Sequence, residues 1–250
     1  MEAALCDLAC LSNGIVDIPL PANAVAEQVV HMLRHSGARV LLASDEEQAA
    51  KVLPALPSLP DLRAVVAFSA ATAERNGLLS LEQMVAQGGE FDDALRAARA
   101  ATVKSGDVAT LMYTSGTTGK PKGIVFTHGN VVSKRFCRGL ALPGVGEGDV
   151  FLSYLPLYHT FGRFLELCGT LYWGATYVFA RSTAPASLLE DFKAVKPTVF
   201  ISVPKKWMEL HEAAVWEAGS SDPDDLAPPL RALTGGRLPT GVSAPGSLYP

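Results

Sequence analysis

Apolar residues recur along this chain in two alternating rhythms. Spacings of three and four predict helices over 2–12, 24–36, 45–53, 81–87 and 91–100, and again over 130–140, 160–173, 187–195 and 205–218. Short apolar runs of strand length lie at 40–43, 63–68, 108–113, 123–127, 150–155, 176–179 and 197–203, with one more candidate at 230–234. Gly14 and Gly37 follow the first two helices as C-terminal caps. Asn23 and Asn130 are placed to cap helix starts. Residues 15–18 form an apolar run closed by Pro19 and Pro21, and 54–60 read as a proline-rich connector. Residues 69–77 and 220–229 read as loops. Strands alternating with helices of this length argue for an α/β fold, a mostly parallel sheet flanked by helices. No internal repeat is visible.

One connection between two such strands stands apart. Residues 113–123 read Tyr113-Thr114-Ser115-Gly116-Thr117-Thr118-Gly119-Lys120-Pro121-Lys122-Gly123. Hydroxyls and open backbone N–H groups can surround a phosphate chain, and lysines can neutralise it. Glycines allow close backbone approach. A Walker loop would join strand to helix and carry Ser or Thr after its lysine. Here Pro121 follows Lys120, disfavours helical geometry in that residue, and leads into a second strand. The Walker reading fails on spacing and on context.

The same run resembles the phosphate-binding motif of the adenylate-forming (AMP-binding) superfamily, and the long-chain fatty acyl-CoA synthetases within it. The resemblance implies an incomplete N-terminal domain of that fold over 1–236, followed by a tail at 237–250 without family pattern. It implies that Thr114, Ser115, Thr117 and Thr118 donate to ATP phosphates. Lys120 and Lys122 would add positive charge, and Gly116, Gly119 and Gly123 would permit the loop's shape. It further implies ATP, Mg²⁺ and CoA as reaction components. A fatty acid carboxylate would attack the α-phosphorus, pyrophosphate would leave, and CoA would displace AMP.

Two other segments share in the resemblance. Residues 153–163 (Ser-Tyr-Leu-Pro-Leu-Tyr-His-Thr-Phe-Gly-Arg) close a strand and open a helix. By resemblance His159 and Arg163 belong to an acyl pocket. On the residues alone, a capped core histidine and a surface salt-bridge partner are the other readings. Gly235 and Gly236, expected after the strand at 230–234, would lie against the acyl group, with a plain turn as the alternative. Residues 196–207 also match the family and read as scaffold, with Pro204 in a first helical turn and Lys205 and Lys206 on a solvated helix start. His128 is expected in a structural turn.

The family's Tyr-Gly-x-Thr-Glu and Thr-Gly-Asp segments are not found, nor its hinge and C-terminal lysine. The chain therefore reads as a piece of a fatty acid–CoA ligase, inactive by itself. A non-catalytic nucleotide- or acyl-binding remnant and an adenylating enzyme for another acid are the alternatives.

Composition narrows the partners. A net charge of −4 over 250 residues leaves no basic footprint for nucleic acid. Four cysteines without CxxC spacing suit buried thiols in a reducing compartment. His31 and His35 follow Glu27 at one-turn intervals, but no further ligand cluster accompanies them, so they read as a helix surface and no metal site is assigned. The apolar stretch 161–180 is interrupted by Arg163 and Glu166 and is too broken to span a bilayer. The N-terminus lacks a basic n-region. A cytoplasmic location is expected, with peripheral membrane contact left open.

Overall fold

The computed structural model describes residues 1–90, 92–114 and 120–243, the last four as backbone only. It divides into two compact units, Met1–Val131 and Val132–Pro250. The first contains α1 (Glu2–Ser12), α2 (Ala26–Ser36), β1 (Val40–Ala43), α3 (Glu46–Ala50), β2 (Ala64–Ala67), α4 (Ala70–Asn76), β3 (Leu79–Ser80), α5 (Leu81–Gln87), α6 (Asp93–Ala100), β4 (Val108–Thr114) and β5 (Lys122–Thr127). Helix α7 (His128–Ala141) crosses the boundary. The second unit continues with β6 (Val150–Ser153), a π-helical segment (Phe161–Leu167), α8 (Cys168–Trp173), β7 (Thr176–Phe179), α9 (Pro185–Val195), β8 (Val199–Ser202), α10 (Pro204–Ala218), α11 (Pro223–Leu233) and β9 (Thr240–Ser243).

The expected parallel pairing is present in each unit. Strands β1, β2 and β3 form a three-stranded parallel sheet. In the second unit the order is β7-β6-β8-β9, again all parallel. Strands β4 and β5 depart from this pattern: they pair antiparallel, as a direct strand–strand connection allows.

Both sheets are built on continuous apolar runs, because parallel strands are covered on both faces. In β8, Val199, Phe200 and Ile201 are fully buried. Phe200 packs edge-to-face on Phe192 of α9 at 4.7 Å and on Trp207 of α10 at 5.2 Å. Phe151 of β6 stacks on Trp173 of α8. In the first unit Met32 and Leu33 of α2 pack with Val52, Leu59 and Tyr113.

Several helix boundaries differ from expectation, each for a local reason. Residues 69–77 form α4, not a loop: Ser69 accepts from Thr72 N at 3.1 Å and Gly77 closes the helix at φ +62°. The connector after α3 folds as a 3₁₀ turn, Leu53–Ser58. Thr127, not Asn130 alone, caps α7: Asn130 Oδ1 accepts from Thr127 N and Thr127 Oγ1 from Asn130 N.

The largest correction lies near the end. The expected strand at 230–234 is the last part of α11. Asp222 caps that helix by accepting from Asp224 N, and Pro223 occupies its first turn. Gly235 and Gly236 therefore follow a helix and precede β9 rather than ending a strand. Strand β9 lies within the stretch expected as a tail and pairs in register with β8, Ser202 opposite Ser243.

Both glycines have positive φ, +77° and +81°. Only Gly235 is also crowded: a Cβ there would sit 2.6 Å from Phe192 O and 2.9 Å from Lys196 Cα. Gly236→Ala is expected to cost about 1–2 kcal/mol for the left-handed backbone alone. Gly235→Ala is expected to cost about 1–3 kcal/mol more through the clash. Urea unfolding midpoints of the two variants check this order.

Candidate functional site: a hydroxyl- and lysine-bearing hairpin and a polar sheet edge

Strand β4 follows the pattern of a half-covered strand, with Ala109, Thr110, Met112 and Tyr113 buried. Thr110 is wholly enclosed, and its hydroxyl donates to Asp17 O at 2.9 Å, which ties the 15–18 run to β4. Opposite, Lys122 faces Thr114 and Gly123 faces Tyr113 in register. These pairings set the ends of the connection. Ser115, Gly116, Thr117, Thr118 and Gly119 lie outside the described residues.

Thr114, Lys120 and Lys122 are all exposed. Neither lysine has an ion-pair partner among the described residues. The hairpin end thus presents a hydroxyl and two uncommitted cations, a donor set suited to a polyphosphate. Gly123 does not adopt positive φ. A Cβ there would touch the Tyr113 ring at 3.4 Å, an ordinary contact, so the backbone shape does not demand glycine at this position.

Glu27, His31 and His35 fall on one face of α2, as expected, but the two histidines do not form a free surface. His31 Nε2 lies 3.3 Å from Pro121 O, and His35 Nδ1 lies 2.8 Å from Tyr113 Oη. Both partners are ends of the hairpin. Among the described residues no three His, Cys, Asp or Glu side chains group as metal ligands. His128 is the first residue of α7 rather than part of a turn, and its backbone N–H donates to Asp107 O at 3.0 Å.

In the second unit, the carboxyl ends of β6 and β8 carry a polar cluster. Open α/β sheets take their ligands at such ends. Tyr154 Oη is 2.7 Å from Ser202 Oγ, and Tyr177 donates to Ser153 Oγ at 2.8 Å. Ser153 in turn bonds the carboxyl of Glu166. Glu166 is completely buried, and its Oε1 has no hydrogen-bond partner among the described residues. Burial pushes its pKa well above the ordinary carboxyl value, and the Ser153 hydrogen bond only partly opposes that shift. Burial also raises the Tyr154 and Tyr177 phenols.

His159 stands in the turn beyond β6 and is exposed, so it is not a core histidine. Its Nδ1 accepts from Phe161 N at 3.4 Å, and its carbonyl receives Arg163 N at 3.0 Å. Arg163 is fully buried, which excludes the surface salt-bridge reading. Its guanidinium lies 5.3 Å from the Phe164 ring centroid. The expected helix at 160–173 begins as a π-helix, a form that concentrates at functional sites. Gly162 lets it start: a Cβ there would meet Leu155 O and Pro156 O at 2.6 Å.

Gly235 and Gly236 are not part of this edge, since they lie at the amino end of β9. Gly236 instead borders a cleft of about 520 Å³ between α10 and α11, walled by Trp207, Leu210, Leu230 and Leu238. Lys206 is 13% exposed and paired with Glu209 at 2.6 Å, so it is not a solvated lysine.

The family described as AMP-binding enzyme matches residues 1–244. The chain belongs to the AMP-binding enzyme family. It is 33% identical over 221 residues to the long-chain-fatty-acid–CoA ligase FadD15 of Mycobacterium bovis, covering 88% of this chain and 36% of that protein. It is 30% identical to the human long-chain-fatty-acid–CoA ligase ACSBG2, covering 82% of this chain and 31% of that protein. The chain thus spans about a third of the length of the curated relatives it matches. Among solved structures, an anthranilate CoA ligase, AuaEII, in complex with anthranoyl-AMP superposes with a TM-score of 0.73 at 24% identity, over 94% of this chain and 41% of that one. The adenylation domain of a carboxylate reductase from Mycobacterium chelonae gives 0.73 at 24%, over 98% and 41%. These superpositions establish the fold of an adenylate-forming domain, of which this chain is a part.

The buried acid yields a pH-dependent expectation. Its folded pKa is raised, so its contribution to stability is full below the ordinary carboxyl value of 4.5 and is lost as pH climbs toward the folded value. Thermal midpoints of the wild type are expected to decline over that window relative to Glu166→Gln, which has no proton to lose there. Parallel melting curves of the two proteins across pH measure the difference.

Proposed function

We propose that this chain is the polyphosphate-receiving portion of an ATP-dependent fatty acid–CoA ligase. The observation that carries the reading is the β4–β5 hairpin end, where Thr114, Lys120 and Lys122 are exposed and uncommitted beside the hydroxyl-rich connection. The role of that end is to hold the β- and γ-phosphates of ATP. Thr114, Ser115, Thr117 and Thr118 donate hydrogen bonds, and Lys120 and Lys122 supply charge. Such a grip orients the α-phosphorus for attack by a carboxylate and stabilises the pyrophosphate as it leaves.

The acyl chain is assigned to the β6 edge, where His159 follows the strand and Arg163 enters the π-helix. Long-chain fatty acids are the favoured acids because the curated relatives named above are long-chain-fatty-acid–CoA ligases. CoA follows as the second-step thiol by the same kinship. No residue is assigned to Mg²⁺, because no ligand group is found among the described residues. Among those residues no helix is long and apolar enough to cross a membrane. None of the four cysteines forms a disulfide, which supports a reducing compartment and the cytoplasm as the working location.

A chain that spans a third of its relatives carries binding without turnover in this reading. The purified chain is expected to bind MgATP or tripolyphosphate and to show no fatty-acid-dependent ATP–pyrophosphate exchange. Lys120→Ala combined with Lys122→Ala should weaken tripolyphosphate binding roughly tenfold or more, as two charge-assisted contacts are lost. Calorimetric titration at fixed salt tests this. Binding that ignores both lysines, or exchange activity from the isolated chain, would contradict the proposal.

A further inference from the structure

Helix α2 reaches both stems of the hairpin with two side chains one turn apart. Ahead of the 115–119 connection, His35 Nδ1 meets Tyr113 Oη at 2.8 Å. Beyond it, His31 Nε2 meets Pro121 O at 3.3 Å. Tyr113 Oη lies 3.2 Å from Met32 O as well as 2.8 Å from His35 Nδ1, so with its hydroxyl proton given to the carbonyl the phenol accepts from His35 Nδ1–H. A carbonyl only accepts, so His31 donates to Pro121 through Nε2–H. The two rings lie 5.8 Å apart, and His35 meets Tyr113 edge-on at 78°.

What these bonds hold is specific. Tyr113 is buried among Met32, Leu33, Val52 and Leu59, and it directly precedes Thr114. Pro121 separates Lys120 from Lys122 and lies one residue ahead of β5. A proline there has no N–H for the ladder, and its carbonyl lies beyond the last paired residues, Thr114 and Lys122. The His31 bond is therefore the attachment that fixes the backbone between the two lysines. We infer that His31 and His35 are positioning residues for the phosphate-binding hairpin, whose ring nitrogens hydrogen-bond to Pro121 and Tyr113 and pre-set the backbone there.

The inference rests on the polyphosphate reading of the hairpin and specifies what prepares it. Holding the stems before the ligand arrives removes part of the ordering cost of binding. A purely structural role would appear in global stability, whereas a positioning role appears at the hairpin and in affinity. Glutamine and asparagine place an amide N–H near where Nε2 and Nδ1 stand, without a ring that can take a charge. Donor chemistry and charge are thereby separated.

The test uses the full chain. Tripolyphosphate affinity is measured for wild type, His31→Leu, His35→Leu, His31→Gln, His35→Asn and the Lys120→Ala/Lys122→Ala control. Backbone amide exchange at residues 120, 122 and 123 is followed in the ligand-free proteins. The expected results are a roughly three- to tenfold loss of affinity and at least several-fold faster local exchange in the leucine variants. The Gln and Asn variants should recover most of both, with global unfolding midpoints close to wild type. Leucine variants with wild-type affinity and exchange overturn the inference, as does failure of Gln and Asn to restore either. If wild-type affinity does not depend on the two lysines, the polyphosphate reading itself falls, while the exchange data still decide whether the histidines fix the hairpin.

Discussion

The antiparallel ladder between β4 and β5 is the constraint from which the first unit's chemistry follows. Parallel strands need a crossover, usually a helix, and the connection then starts a helix at the phosphate, as in a Walker loop. An antiparallel pair needs only a short turn and no crossover helix. The register sets Thr114 against Lys122 and Tyr113 against Gly123. Hydroxyl and ammonium groups are thereby brought to one end of a two-stranded ribbon. A ribbon of two strands is marginal by itself. Here it is tied through Thr110 to the backbone of Asp17, through Tyr113 to the α2 core, and through Pro121 to His31.

The second unit rests on a different balance. Its four parallel strands require apolar cover on both faces, yet the π-helical segment that follows β6 carries Arg163 and Glu166 into full burial. Ionised groups in such surroundings cost several kcal/mol each unless paired. Burial of Glu166 raises its pKa and so favours the uncharged form, and the carboxyl is hydrogen-bonded through Ser153 to Tyr177. The polar cluster and the π-helical backbone coincide at the end of the sheet where ligands of open α/β folds collect. The constraint that fixes Gly162 there is steric: the segment begins in contact with the Leu155 and Pro156 carbonyls, and only hydrogen fits in place of a side chain.

What could be read from the chain depended on how local its cause was. The strand at 176–179 and the helix at 2–12 have the bounds their patterns predict, because periodicity is a property of neighbouring residues. The passage from strand directly to strand was legible from residue identity, since spacing, context and Pro121 after Lys120 all argued against a helix there, and β5 begins at Lys122. Helix α11 was not, because Pro228 and Pro229 read as breakers, while the Asp222–Pro223 start that does nucleate it was available as a signal. The histidines of α2 were read only as a helix surface, and although His35 is exposed and His31 half-buried, their hydrogen bonds were missed because the partners are 78 and 90 residues away. No local pattern reports such a contact. Arg163 and Glu166 illustrate a usable clue: charges inside an otherwise apolar stretch argued against a membrane span, and the same fact pointed to buried polar chemistry.

The two groups of residues also differ in what they can contribute to a reaction. Exposed lysines at a hairpin end attract bound ATP and departing pyrophosphate alike, and interactions equal in ground and transition states do not lower the chemical barrier. Acceleration requires donors aimed where charge develops at the α-phosphorus, held in a water-excluded site. Lys120 and Lys122 are solvent-facing, where each contact is screened and weak. Their contribution becomes differential only when further groups enclose the phosphates. In the family to which this chain belongs, about two thirds of the relatives' length lies beyond what is matched here. Under the polyphosphate reading, a hairpin hydrogen-bonded to α2 at Tyr113 and Pro121 would serve as a floor, and its catalytic value would come from groups that close over it.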